Sequence, residues 1–276
     1  MDLNLIQSIL YGLIAGIADI LPVSAQAHRL ILLSLFGETG EAPLLRLLVH
    51  LGTLAGLYYG CQSHIIRMIR AQKLAKIPKR RRRRPLDIRS LMDISLLKTM
   101  VIPVIFGFIF YNKTNLLAAN LLAVAGFMFL NGLILYIPQY LPGSNKDSRN
   151  LSRVEGVLMG LGGAASVLPG VSSVGTVFSI GTVCGGEKGY VLNMALLLNI
   201  GVTAAHVVWD VIALISGDAG ALSFGLVLNY LLAAAAAFGG VYLGIRIVRA
   251  LSAHMDFFAY YCWGAALFTF ILYLNI

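Results

Sequence analysis

The chain has 276 residues, of which 58% are hydrophobic and only 12% charged, and its formal net charge is +9. Its mean hydropathy is +0.82. A soluble domain of this length is about a quarter charged, because it must cover its surface with polar groups. This composition excludes that class and matches a polytopic all-α membrane protein, whose outer faces lie in hydrocarbon and need no polar cover.

The positive charge is local. Eleven of the 21 basic residues lie between Arg67 and Arg89, including the unbroken run Lys79 to Arg84. Standing between apolar segments, such a block follows the positive-inside rule. It assigns the connection 62–91 to the cytoplasm, against anionic phospholipid headgroups rather than nucleic acid. Cys61, Cys184 and Cys262 are scattered, with no metal-ligand spacing and no expected structural disulfide. The N-terminal apolar stretch has no basic leader and contains Asp19 and Pro22, so no cleavable signal peptide is expected.

In chain order, an apolar run over 3–20 is interrupted at Leu21-Pro22-Val23-Ser24 and followed by a second apolar segment over 27–36. Each piece is shorter than the roughly 20 residues of a full span, which predicts a broken or re-entrant helix pair lining protein or a polar cavity. Spans are expected at 43–60, 94–111 and 116–138. A polar connection from Pro142 to Arg153 opens the second half. A short helix over 154–168 breaks at Leu168-Pro169-Gly170 and continues in a segment over 172–184. Spans follow at 190–215, 222–247 and 255–275, and the chain stops with almost no tail after Tyr273.

The two breaks echo each other. Residues 12–24 read GLIAGIADILPVS and residues 159–172 read MGLGGAASVLPGVS. Aligning Leu21-Pro22 with Leu168-Pro169 places Ala15-Gly16 on Gly162-Gly163 and Ala18 on Ala165. The expected architecture is one transmembrane domain over 1–276 with two inverted-topology repeats, 1–141 and 142–276. Paired broken helices of this kind place a polar site where the breaks meet.

Polar residues in these segments are the candidates for that site. Asp19, inside an apolar helix, must face a cavity or a partner. Its carboxylate can bind a divalent cation, accept a proton or orient a histidine. Ser24 and His28 stand one helical turn apart and can serve as nucleophile or proton carrier. Gln26 follows the same break, and Arg29 offers a guanidinium fork to phosphate or snorkels to the headgroups. Arg46 and His50, also one turn apart, line the same cavity or mark the interface. The second break supplies Gly170, Ser172, Ser173, Gly175 and Thr176, whose backbone N–H groups and hydroxyls can receive an anion or pack helices tightly. His206 and Asp210 form a secondary pair.

With these residues in place, the chain resembles the undecaprenyl-diphosphate phosphatase (bacitracin-resistance) family along nearly its whole length. The likeness is carried by GLIAGIADILPVSAQAH at 12–28, LPGVSSVGT at 168–176 and VHLGTLAGLYYG at 49–60. It implies hydrolysis of undecaprenyl diphosphate to undecaprenyl phosphate and inorganic phosphate, recycling the peptidoglycan lipid carrier in a bacterial inner (plasma) membrane. It also implies a divalent cation, magnesium or calcium, at Asp19. The active-site positions it assigns are Asp19, Ser24 and His28, with Ser172 and the 170–176 segment. Several family positions are replaced. The first family glutamate falls on Ala15 and the second on Asp19, while Ala25, Gln26 and Ala27 stand for serine, threonine and glycine. Ser173 stands where the family has its phosphate-binding arginine, leaving that charge to Arg29 or Arg46.

Two functions follow: a polyprenyl diphosphate phosphatase, or a non-enzymatic protein that binds or moves polyprenyl phosphate lipids. An unrelated small-solute transporter is a third, and homo-oligomerisation is left open. A tag in the 70–88 connection is expected to be shielded from membrane-impermeant reagents in intact cells; labelling from outside would reverse the orientation.

Overall fold

The computed structural model describes residues 3–38, 40–141, 145–216 and 223–275. Pro142, at the head of the polar connection, residue 222, at the start of an expected span, and the last residue, Ile276, lie outside them. Eleven α-helices follow in order among the described residues: α1 (Leu5–Ile20), α2 (Ala25–Leu35), α3 (Pro43–Ala75), α4 (Ile88–Ile109), α5 (Tyr111–Asn115), α6 (Leu121–Tyr136), α7 (Arg153–Ala164), α8 (Ser173–Val183), α9 (Lys188–Ser216), α10 (Phe224–Ala250) and α11 (Asp256–Asn275). Six of them, α3, α4, α6 with the 3-10 turn that follows it, α9, α10 and α11, are long and apolar enough to cross a membrane. Their outer faces carry exposed Ile105, Phe106, Leu267 and Phe268, as expected of surfaces solvated by lipid tails.

The short helices sit where the sequence places them. α1 has 16 residues, ~24 Å at 1.5 Å per residue, and stops short of a full crossing. After the break, α2 turns back along it, so that Leu33 joins a buried cluster with Leu3 and Tyr11. The second pair repeats the device. α8 runs back along α7, with Gly162 against Thr176 and Gly181 against Met159.

Small residues let the long helices approach. A Cβ on Gly12 or Gly16 would fall 1.9 Å or 2.2 Å from the carbonyl oxygen of Ala233 or Ala237, so α1 and α10 run parallel with backbones nearly touching. Gly52 meets Ala234 and Gly56 meets Val241, which lays α3 on the same helix. α7 packs on α4 through Gly156 and Gly160. Close approach at glycine is the usual source of packing energy between helices in lipid, where hydrophobic burial adds little.

Three boundaries differ most from the sequence expectation. The span expected from residue 94 already begins at Ile88, where the Asp87 side chain caps the N–H of Ser90. The helix expected over 43–60 continues to Ala75, because buried Cys61 and Ala71 and partly buried Ile65 and Met68 keep one apolar face packed on the core. Much of the basic connection is therefore helical, and Arg82 caps its end by donating to the carbonyls of Ala75 and Ile77. The span expected from residue 116 begins instead at Leu121, after a 3-10 turn over Leu116–Ala119, because the Asn120 side chain caps the backbone N–H groups of Leu122 and Ala123. α6 then runs on through a 3-10 turn to Tyr140.

Gly170 is a close contact between the halves in a backbone conformation that favours glycine. Its φ is +121°, and a Cβ there would lie 2.6 Å from the Cβ of Phe127 and 2.8 Å from the backbone N of Met128. Gly170→Ala is expected to cost at least 2 kcal/mol, combining backbone strain of about 1–3 kcal/mol with overpacking of similar size. A fall in the thermal midpoint of the detergent-purified protein, read by size-exclusion fluorescence, checks this.

Candidate functional site

The two helix breaks meet in space. The N–H of Gly170 donates to Ser24 Oγ at 3.1 Å, and the hydroxyl of Ser172 donates to the carbonyl of Leu21 at 3.3 Å. Asn131 on α6, fully buried, joins them: its Nδ2 donates to the carbonyl of Pro22 at 3.0 Å, and its Oδ1 accepts from the N–H of Ser172 at 2.9 Å. Each serine also caps the helix it opens, Ser24 accepting from the N–H of Ala27 and Ser172 from that of Gly175. These contacts satisfy backbone groups that the breaks would otherwise leave bare in an apolar interior.

A small polar cavity of about 30 Å³ lies beside this junction, room for one or two waters. Asp19, Ser24, Gln26, Arg29, Ser172, Ser173 and His206 line it, so seven residues singled out from the sequence converge. Asn199 and Ser166 complete the polar wall. Asp19 is its one carboxylate. Its Oδ2 accepts from Asn199 Nδ2 at 2.9 Å and from the hydroxyl of Thr203 at 3.4 Å. Among the described residues it forms no ion pair.

Four buried polar atoms of these lining residues have no hydrogen-bond partner among the described residues: Gln26 Oε1, Ser173 Oγ, Asn199 Oδ1 and His206 Nδ1. An unsatisfied buried polar group costs about 1–3 kcal/mol, and native proteins carry few of them. One or two ordered waters in the cavity are of a size and polarity to satisfy such groups.

His28 takes a different place. It lines the neighbouring apolar groove, not the polar cavity. Its Nδ1 lies 2.6 Å from the carbonyl oxygen of Ser24 and must carry the proton, since a carbonyl only accepts. Nε2 therefore accepts from the hydroxyl of Tyr261 at 2.8 Å. The Ser24 and His28 side chains, one turn apart, form no hydrogen bond with each other among the described residues.

Behind the cavity lies a buried charge network that the sequence showed only in fragments. Arg29, which is 3% exposed, donates from Nε to Glu41 at 2.8 Å and from Nη1 to His50 Nε2 at 3.1 Å. Tyr11 donates to the same Glu41 oxygen at 2.6 Å. Asp210 accepts from Arg46 Nε and from His50 Nδ1, each at 2.5 Å. Asp210 thus pairs with His50 and Arg46 rather than with His206, its neighbour one turn away. The ring of His206 stacks on that of His50, with centroids 5.1 Å apart. Arg46 and His50 support the cavity from behind and do not line it. Gly170, Gly175 and Thr176 are likewise outside its lining. Gly175 packs against Pro22, and the Thr176 hydroxyl is directed to backbone carbonyls, including that of Gly162 at 2.7 Å.

Asn199, Thr203 and Glu41 were missed. A polar residue inside an apolar helix signals the first two, by the reasoning that selected Asp19. Glu41 lies in the α2–α3 connection, where a carboxylate looks like ordinary surface.

An integral membrane protein with a polar cavity at the junction of two broken helices, backed by a buried ion network, is the class these features define. The family described as bacitracin resistance protein BacA matches residues 8–268, and the chain belongs to that family. It is 31% identical over 280 residues to an undecaprenyl-diphosphatase of Methanobrevibacter smithii, covering 98% of both chains. It is 26% identical to undecaprenyl-diphosphatase 1 of Shouchella clausii, over 98% of this chain and 96% of that one.

Asp210 binds two cationic or polar partners with no exposure of its own side chain. Removing one member of a buried pair costs about 3–5 kcal/mol. Asp210→Ala is expected to lower the thermal midpoint in detergent, and Asp210→Asn to lower it less, because the amide oxygen still accepts one hydrogen bond. Equal stability of both variants and the parent would contradict the network.

Proposed function

We propose that this chain is a membrane phosphatase that hydrolyses undecaprenyl diphosphate to undecaprenyl phosphate and inorganic phosphate. The observation that carries this reading is that four residues with an unpartnered buried polar atom, among the described residues, line one small cavity together with Asp19 and Arg29. The names of its relatives support it. The cavity offers both kinds of group that the substrate needs. Arg29 and the hydroxyls of Ser173 and Ser24 are donors for phosphate oxygens. Asp19, Asn199 Oδ1 and Gln26 Oε1 are oxygen acceptors suited to a hard cation.

The residues fit a divalent cation, magnesium or calcium. Such ions take one or two carboxylates, neutral oxygens and substrate phosphate oxygens, and a lone Asp19 carboxylate in an apolar interior calls for a counter-charge. Asp19 would hold the ion, with Asn199 and Gln26 beside it. When bound, it offsets the charge of the diphosphate and of the leaving phosphate.

In the hydrolysis, a water oxygen bonds to the terminal phosphorus as the bond to the bridging oxygen breaks. Undecaprenyl phosphate leaves with that oxygen. The water proton passes to a base, and His206 is the histidine of this cavity, with its Nδ1 unpartnered. His206 therefore takes the role that the family resemblance assigns to His28. His50 holds the His206 ring by stacking, and Asp210 and Arg29 hold His50 in one tautomer.

The finer placement belongs to the same proposal. The two halves are inverted repeats with re-entrant helix pairs. In support, α1 packs on α10 as α7 packs on α4. The membrane is a bacterial plasma membrane, with the basic connection on its cytoplasmic face against anionic headgroups. Recycling of the cell-wall lipid carrier is the physiological role.

A second reading is favoured by one contact. The charge of Arg29 is already matched by Glu41 at 2.8 Å, and among the described residues no further arginine or lysine lines the cavity. A site so neutralised suits a protein that binds or moves the phosphorylated lipid without cleaving it.

Phosphate release from undecaprenyl diphosphate, measured on purified protein with magnesium or calcium, separates the two. The parent is expected to release phosphate, with Asp19→Asn and His206→Gln reduced about 100-fold or more, the lower range for loss of a positioned acid or base. A folded parent that binds the lipid and releases none would establish the second reading.

A further inference from the structure

A separate cavity, of about 330 Å³, opens where α4 meets the start of α7. Met92, Ser95 and Thr99 line it from α4, at the spacing of one helix face. Ser148, Arg149 and Arg153 line it from the polar connection and the first residue of α7. None of these residues lines the Asp19 cavity. The two helices run parallel, since Gly156 meets Leu96 and Thr99, Gly160 meets Met100, and Gly107 meets Ala164. The start of α7 therefore lies beside the first half of α4, on the membrane face that carries the basic connection between α3 and α4. Arg89, at the head of α4, reaches Asp147 in the polar connection at 3.9 Å.

Three observations give this cavity a demand for an anion. The first is a buried hydroxyl. Ser148 is 5% exposed, and its Oγ forms no hydrogen bond among the described residues. The neighbouring Tyr190 hydroxyl gives its proton to Asp93 at 3.0 Å. A buried hydroxyl left without a partner is costly. The second is the end of α7. Ser152 Oγ accepts from the N–H of Glu155 at 3.2 Å, and the Ser152 carbonyl accepts from the N–H of Gly156 at 3.1 Å. The N–H groups of Arg153 and Val154 precede the helix's own bonds, at the positive end of its dipole. The third is charge. Arg149 holds Asp147 at 2.9 Å and Lys146 holds Glu155 at 2.8 Å, so the nearby carboxylates are matched. Arg153 forms no ion pair among the described residues.

A phosphate group answers all three, since its oxygens accept from a hydroxyl, from helix N-terminal N–H groups and from guanidinium forks. We infer that this cavity binds a phosphate group, supplied by the head of an anionic phospholipid. The outer face of α7 favours the lipid as the source. Val154, Leu158 and Leu161 form an exposed apolar stripe that begins one residue after Arg153, and acyl chains can lie along it while free phosphate has no use for it. The site stands apart from the chemistry of the Asp19 cavity. It also stands apart from the basic run Lys79 to Arg84, none of whose residues lines it.

The test is photolabelling of the purified full chain in detergent with a phosphatidylglycerol that carries a diazirine beside its phosphate, followed by peptide mapping. Label is expected within residues 92–99 and 148–158, displaced by unlabelled phosphatidylglycerol at concentrations where phosphatidylcholine displaces none. Arg153→Gln, at an exposed side chain, is expected to lower this labelling about 10-fold, the scale of a lost charge-assisted hydrogen bond. Ser148→Ala is expected to lower it about 3-fold without lowering the thermal midpoint, because the hydroxyl holds no partner within the protein. Arg80→Gln with Arg81→Gln is expected to leave it at the parent level. Inorganic phosphate at millimolar concentration separates the sources. If it displaces none of the label, the lipid is the ligand; if it displaces as much as phosphatidylglycerol does, the phosphate site stands and the free anion fills it. Label elsewhere on the chain, equal displacement by phosphatidylcholine, undiminished labelling of folded Arg153→Gln, or an equal loss in the Arg80 and Arg81 variant would overturn the proposal.

Discussion

Backbone polar groups cannot be left bare in hydrocarbon, and this fold is organised around the two places where its helices fail to satisfy their own. The breaks at Leu21–Ser24 and Leu168–Ser172 free carbonyls and N–H groups near the interior. They are satisfied by each other and by Asn131: Ser24 takes the N–H of Gly170, Ser172 bonds to Leu21, and Asn131 spans from Pro22 to Ser172. Gly170 must be glycine for this approach, because only a residue without Cβ fits between Phe127 and Met128 at that backbone angle. Once the breaks are locked together, the side chains that flank them face a common space.

The charge network follows from the same constraint at higher cost. Two arginines and two carboxylates in the interior are tolerable only when each is paired and hydrogen-bonded. Glu41 and Asp210 divide that task, the first holding Arg29 with help from Tyr11, the second holding Arg46 and His50. The network stiffens the wall behind the cavity and fixes the His50 ring on which His206 stacks. Asp19 forms no ion pair among the described residues and is hydrogen-bonded to the neutral side chains of Asn199 and Thr203. One short stretch of broken helix thus divides two environments, with unpartnered polar atoms on one side and a wholly satisfied apolar wall on the other.

The sequence made the spans legible because lipid solvation demands long apolar runs, and all six long helices were expected close to where they lie. The internal echo of Leu-Pro breaks also proved spatial. Helix ends were less legible: α3 runs past its expected end, since a helix leaving the membrane keeps packing as long as one face is apolar, and α6 starts late because Asn120 caps it. Among site residues, Asp19, Ser24, Gln26, Arg29, Ser172 and Ser173 are in the cavity because they lie within a turn or so of a break. His28 shares that proximity, yet its helix turns it to the groove, and one residue of rotation decides the difference. Glu41 gave no signal at all, because it lies in the connection between α2 and α3, and its burial among Tyr11, Arg29 and Arg46 exists only in the fold.

By itself, the sequence determined the class of solvent, the number of long crossings, the two interruptions and the kinship with the BacA family. Those properties are local: hydropathy, proline and short motifs are read residue by residue. Tertiary structure decided which polar atoms face one cavity, which histidine reaches it and which carboxylate neutralises which arginine. These are relations between α1, α2, α3, α8 and α9. They depend on the angles at which helices cross, set by glycine contacts such as Gly12 on Ala233, and no periodicity along the chain records them.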